Sequence, residues 1–161
     1  MNNNNNYKIY KIHSHLGNKI YVGKTQDTVI NRMKQHISQY NLYVRLFGGT
    51  QFTSSYILFD EYGVDNCAIE EITEVLCNKK IACIVEGAHI LFFKQNINFE
   101  IVNHNIAGRT RQEYRIENIE KINGKHNCEC CGKFTYNGKG LHIKTKRHQK
   151  YLLNLFQQPL L

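Results

Sequence analysis

The sequence predicts an α/β (α+β) domain, with a small three-stranded, mainly antiparallel sheet flanked by helices, followed by a smaller module that has too little apolar content for a core of its own. Three observations carry this. Two short runs alternate aromatic or β-branched residues with lysine on either side of a turn; runs of helical period surround a third strand-like run; and cysteine, histidine and charge change abruptly in the last third. With 161 residues, 42% of them hydrophobic, there is room for one domain of about 100 residues plus something smaller.

Residues 1–6 include the asparagine run Asn2 to Asn6, which has no apolar surface to bury and is expected to be a disordered lead-in. Order is expected from Tyr7. Tyr7 to Ile12 alternates as a half-buried strand does. After the turn His15-Leu16-Gly17-Asn18, the run Lys19 to Gly23 repeats the style, so the two form a β-hairpin. Either Asp27 or Thr28 caps a helix over Val29 to Tyr40, whose apolar stripe is Ile30, Met33 and Ile37. On that helix Arg32 and His36 lie one turn apart and can face a common point. A short helix over Ser54 to Tyr62 stops at Gly63, and Cys67 to Val75 alternates as a third strand. A longer helix from Lys79 to Lys94 is expected to turn Ile81, Ile84, Val85 and Ala88 inward.

Residues 7–107 therefore form the first domain. Residues 108–122 read as a polar linker or helix, and residues 123–161 as the second module with a C-terminal helix over Tyr151 to Phe156 that docks or dimerises. Lysine and arginine outnumber aspartate and glutamate 10 to 9 in residues 1–107, but 11 to 4 in residues 108–161. Most of the net +8 thus sits in the last third, where it suits a polyanion. No apolar run approaches the ~18 residues of a membrane span, and no basic-then-apolar leader opens the chain, so a soluble, intracellular protein is expected.

Phosphodiester hydrolysis needs a nucleophilic water, a group that helps deprotonate it, cations for the developing charge, and a metal held by carboxylate. The hairpin offers Tyr10 and Tyr21, the first helix Arg32 and His36. The long helix offers Glu86, which is flanked by apolar residues and therefore needs a partner or an ion.

In joint order and spacing, Lys8-Ile9-Tyr10, Tyr21-Val22-Gly23-Lys24-Thr25, Arg32, His36 and Glu86 resemble the GIY-YIG nuclease superfamily over residues 7–107. Lys8 stands where the family has glycine, and Val22 where it has isoleucine. The resemblance implies that Tyr21 acts as or assists the general base with Tyr10 hydrogen-bonded nearby. Arg32 would then stabilise the transition state, and His36 would assist proton transfer or orientation. Lys24 matches a basic residue of some members, and Glu86 would be the single protein ligand of Mg²⁺ (or Mn²⁺). The late asparagine of the family falls at Asn103, with Asn105 as the alternative.

In the second module Cys128 and Cys131 form a CxxC, ten residues precede His142, and five separate it from His148. Two thiolates on a turn and two imidazoles on a helix suit tetrahedral Zn²⁺. Cys130 is the alternative ligand, because Phe134 follows it at the offset of a finger's core aromatic. Cys67, Cys77 and Cys83 read as small hydrophobes. The segment resembles a U1-type C2H2 finger with a loop about two residues shortened. Arg109, Arg111, Lys144, Lys146, Arg147 and Lys150 are expected to meet phosphates rather than read bases.

The two modules together resemble proteins of large DNA viruses, which implies the nucleus or cytoplasm of a host cell. The expected partner is DNA, with RNA as the alternative, and two copies assembling on substrate would permit a double-strand break. The rival reading is an inactive DNA- or double-stranded-RNA-binding finger protein that keeps the nuclease fold.

Overall fold

The computed structural model describes residues 4–156. Residues 1–3 of the expected lead-in, and residues 157–161 of the second module, lie outside the described residues. The chain is mixed α/β and divides into two compact units between Arg109 and Thr110.

The first unit is built on the expected hairpin. Strand β1 (Asn5–Ser14) pairs antiparallel with β2 (Lys19–Thr25), placing Tyr10 opposite Gly23 and Ile12 opposite Tyr21. Asn5 and Asn6 belong to β1 rather than to a disordered lead-in, because β3 (Cys67–Cys77) pairs with them at Cys77 and Leu76. The Asn6 amide also donates to Glu74 at 2.6 Å. Neighbouring strands here satisfy backbone groups that the polar side chains alone would leave to water. A bulge falls between Ile9 and Tyr10 of β1, where a residue of β3 is left over.

The sheet has four strands among the described residues, not the three expected. Strand β4 (Glu100–Ile101) runs parallel to β2, giving the order β3-β1-β2-β4. Two residues are too few for alternation to reveal.

Helices cover both faces. Helix α1 (Val29–Arg45) starts at Thr28, whose hydroxyl accepts from the Asn31 N–H at 3.2 Å. Asp27 supports the cap by accepting from the Thr28 N–H and the Asn31 amide. With α2 (Tyr56–Tyr62), stopped by Gly63 at φ 79°, α1 covers a core of Tyr10, Ile12, Tyr56, Leu58, Phe59 and Val102. The stripe of α1 that meets it is Val29, Met33, Ile37, Tyr40 and Tyr43; Ile30, expected inward, is exposed.

Helix α3 (Lys79–Gln95) covers the other face, packing on Ile9, Ile20 and Val22 through Ile90 and Phe93. Its inward arc is Ala82, Glu86, Ile90 and Phe93 with Val85 beside them, while Ile81, Ile84 and Ala88, expected inward, are exposed. Gly87 lets the chain segment 106–108 cross α3 backbone to backbone, since a Cβ there would lie 2.1 Å from the Ala107 carbonyl oxygen. Gly108, at φ 72°, completes the crossing.

The second unit begins with the expected polar segment, which is helical. Helix α4 (Arg111–Glu117) opens on a capping box between Thr110 and Glu113, and α5 (Ile119–Asn123) follows. A hairpin of β5 (Lys125–Asn127) and β6 (Lys133–Thr135) comes next, then α6 (Lys139–His142) and α7 (Lys146–Phe156).

Candidate active site and metal centre

In the first unit, β1 and β2 bring Tyr10 and Tyr21 side by side with ring centroids 6.4 Å apart. Gly23 makes this possible. A Cβ there would sit 2.5 Å from the Tyr10 hydroxyl oxygen and 3.0 Å from Tyr21 Cε1, so the glycine clears space for two phenol rings. From α1 the His36 ring stands edge-on to both, at 5.9 Å and 5.5 Å.

These groups share one chain of hydrogen bonds. Arg32 Nε donates to the Tyr10 hydroxyl at 3.0 Å, that hydroxyl meets His36 Nε2 at 2.8 Å, and His36 Nδ1 meets the Ser55 hydroxyl at 3.0 Å. Guanidinium can only donate, so Tyr10 is free to give its proton to His36 Nε2, which assigns the imidazole proton to Nδ1, facing Ser55. Tyr10, His36 and Ser55 are fully buried. Burial, with the Arg32 charge second, pushes the His36 pKa down to about 3, so the ring is neutral. Burial raises the Tyr10 hydroxyl, against the opposing charge of Arg32. It raises Tyr21 well above the ordinary phenol range, aided by Tyr10 and Glu86. Both phenols are therefore protonated at neutral pH.

Ser55 has no counterpart among the residues singled out from sequence. A serine ahead of an apolar helical run reads as an N-cap, yet Ser55 makes no side-chain cap bond to α2, and its hydroxyl oxygen accepts from His36 Nδ1 instead.

On the α3 side Glu86 is almost fully buried, and Lys24 Nζ donates to its Oε2 at 2.6 Å. Burial works against the Lys24 ammonium, but the hydrogen bond and charge of Glu86 more than offset it and hold its pKa up. The field of Glu86 also reaches Tyr10, Tyr21 and Arg32. Asn103 is placed by its amide, which accepts from the Val22 N–H at 2.9 Å and donates to the Val22 carbonyl at 2.8 Å. It thus clasps β2 between Tyr21 and Gly23. Asn105 is exposed and makes no such clasp.

The structure therefore brings Tyr10, Tyr21, Arg32 and His36 together around one hydroxyl. Lys24 and Glu86 are set beside them as a pair, with Asn103 as a backbone support.

In the second unit the turn between β5 and β6 decides the metal-ligating set. The Cys131 N–H donates to the Cys128 carbonyl and the Cys128 N–H to that of Gly132, which curls the chain tightly. Cys131 takes the left-handed conformation at φ 60° and is exposed, whereas Cys130 is buried. The group that could hold a metal is thus Cys128, Cys130, His142 and His148, and Cys131, expected from the CxxC spacing, is outside it. The four ligand atoms lie within 4.8 Å of one another, with Cys128 Sγ 3.3 Å from His148 Nδ1 and Cys130 Sγ 3.3 Å from His142 Nε2. Tetrahedral zinc, with bonds of about 2.3 Å to sulfur and about 2.0 Å to nitrogen, separates such ligands by roughly 3.5 Å. The group can hold a metal ion, and zinc is compatible with it. Gly132 leaves room for the His142 ring, which a Cβ would meet at 2.5 Å, and Phe134 packs against that ring at 5.2 Å.

No protein-family model matches the chain, and no curated protein or solved structure is significantly similar to it.

Among the cations expected to meet phosphate, Lys144, Lys146 and Lys150 are exposed, as is Arg111 at the start of α4. Arg147 is exposed too, but its Nε donates to the Cys130 carbonyl at 3.0 Å and so braces the metal-ligating turn. Arg109 ends the first unit, its N–H pointing at the Ile106 carbonyl. Among the described residues no helix is long and apolar enough to cross a membrane.

Proposed function

We propose that the chain is a metal-dependent DNA endonuclease of the GIY-YIG type, with a zinc-stabilised finger that adds DNA affinity. The observation that carries this reading is the convergence of Tyr10, Tyr21, Arg32 and His36, with Glu86 close enough for its charge to be felt. Residues so far apart in sequence meet around polar groups that a structural core does not need.

In this reading Arg32, held at Nε by Tyr10 and at Nη1 by the Gln35 side-chain oxygen 2.9 Å away, presents Nη2 to the phosphate and offsets the charge that develops there. His36 is a positioning residue. It is buried and neutral with both nitrogens engaged, so it fixes the Tyr10 hydroxyl rather than meeting substrate. Tyr21 is half-buried where Tyr10 and His36 are fully buried, and as a protonated phenol it orients the attacking water. Taking the water's proton requires added positive charge nearby, since burial disfavours the phenolate.

Glu86 would hold Mg²⁺, which accepts a single protein carboxylate because it keeps most of its waters, and which would neutralise phosphate charge there. Lys24 shares that carboxylate.

That pairing also favours a second reading. Glu86 already neutralised by Lys24 suits an inactive nucleic-acid-binding protein, of DNA or double-stranded RNA, that keeps the fold. Incubation with supercoiled plasmid with and without Mg²⁺ separates the two. Under the first reading the wild-type chain nicks or linearises the plasmid only with metal, and Glu86→Ala and Arg32→Ala each lose at least about a hundredfold in rate. Cleavage by Glu86→Ala at the wild-type rate would sink the metal assignment, and no cleavage by any protein would favour the second reading.

A further inference from the structure

The second unit carries an open hollow of about 700 Å³ that the metal-ligating group does not use. It is lined by His126 and Asn127 of β5, Phe134 of β6, Tyr136 and Lys139. The Phe134 and His126 rings lie 5.7 Å apart at 32° and line one part of it. Tyr136 is 63% exposed, and the Lys121 ammonium sits 6.0 Å from its ring centroid.

Three features limit what fits. No carboxylate lines the hollow, and Lys125 and Lys133 are exposed on the two strands that contribute to its lining, so the surroundings favour an anion. The accessible ring faces favour a flat π-system, which stacks with or without sequence preference. The Asn127 amide brings a donor and an acceptor side by side, suited to the edge of a base. Phosphate, flat ring and hydrogen-bonding edge together describe a nucleotide. Bases within a closed duplex turn their faces to one another, so only a base outside the stack can enter.

We propose that this hollow binds an unpaired nucleobase of a DNA strand, stacked on Tyr136, with its phosphates met by Lys121 and Lys139. The proposal rests on the reading of the chain as a nucleic-acid-binding protein and narrows its substrates to DNA with a single-stranded end, flap or loop. The surface of Lys144, Lys146 and Lys150 is a separate feature, and meets phosphates whether or not the strands are paired.

The test measures fluorescence anisotropy of full-length, zinc-loaded protein, without added Mg²⁺, on two labelled DNA hairpins, each closed by a non-nucleotide linker in place of loop bases, that differ only in a short single-stranded tail. Wild-type protein is expected to bind the tailed hairpin about tenfold more tightly, the scale of one stacked base. Tyr136→Ala loses that preference while its affinity for the blunt hairpin stays within about twofold; Tyr136→Phe, which keeps the ring, retains it. Zinc content measured in each variant verifies that the finger has folded. Equal binding of the two hairpins by the wild type, or an undiminished preference in zinc-loaded Tyr136→Ala, would overturn the proposal and leave DNA binding standing. No binding to either hairpin would overturn the nucleic-acid reading, and this proposal with it.

Discussion

His36 shows how tightly individual side chains are specified. Its ring is buried and held neutral, with a pKa near 3 against an unfolded value near 6.5. Between those two values the unfolded chain takes up a proton that the folded chain refuses. The stabilisation is therefore complete above pH 6.5 and is lost as the pH falls towards 3, with a slope of up to about 1.4 kcal/mol per pH unit. Thermal melts from pH 7 to pH 4 are expected to show a steeper loss for the wild type than for His36→Gln, whose side chain does not titrate. Parallel curves for the two proteins would refute the assignment. The helical spacing of Arg32 and His36 was legible in the sequence because a helix makes neighbours of residues four apart. Ser55 was not, because nothing local distinguishes a hydroxyl that caps its own helix from one that turns to another. Nor was the role of Gly23, since the space it clears is defined by rings on both strands of the hairpin.

At the scale of elements, legibility depended on how sharply a segment's two sides differ. The hairpin and β3 alternate over most of their length, interrupted in β1 and β3 at the bulge, and stand where expected. Helix α3 is apolar over most of its circumference, so its period cannot choose between the arc of Ile81, Ile84 and Ala88 and that of Ala82, Ile90 and Phe93. What decides is a tertiary fact, the Lys24 ammonium that lets Glu86 turn inward. The metal-ligating turn teaches the same lesson. Spacing favoured Cys131, but the left-handed backbone there turns it out and Cys130 in. Zinc measured by elemental analysis is expected near one per chain in wild type and in Cys131→Ser, and well below that in Cys130→Ser and Cys128→Ser. Loss of zinc in Cys131→Ser alone would reverse the ligand set.

The whole molecule is two compact units that differ in how much apolar surface they bury. The first unit buries two apolar clusters against its sheet; in the second, little among the described residues is buried beyond the Cys/His group, which could hold a metal ion where packing supplies little. Calorimetry is expected to show two transitions, of which a strong chelator removes only the one belonging to the second unit. A chelator that shifted both equally would argue for a single cooperative structure. The break near Gly108 was visible in the sequence because net charge is a property of composition, whereas the four-strand count depended on a two-residue strand that only the fold reveals.

The backbone crossing at Gly87 makes the first unit load-bearing in an uneven way. The chain leaves that unit through 106–108, wedged on α3 one residue beyond Glu86, with no side chain between to yield. Tension on the chain past Arg109 is therefore delivered to the helix turn that holds the carboxylate before it reaches the sheet. A methyl at that point forces the two backbones apart at a cost of about 1–3 kcal/mol. Gly87→Ala pulled from its C-terminus should accordingly give way at lower force than the wild type, and equal rupture forces would mean that the load travels by another route.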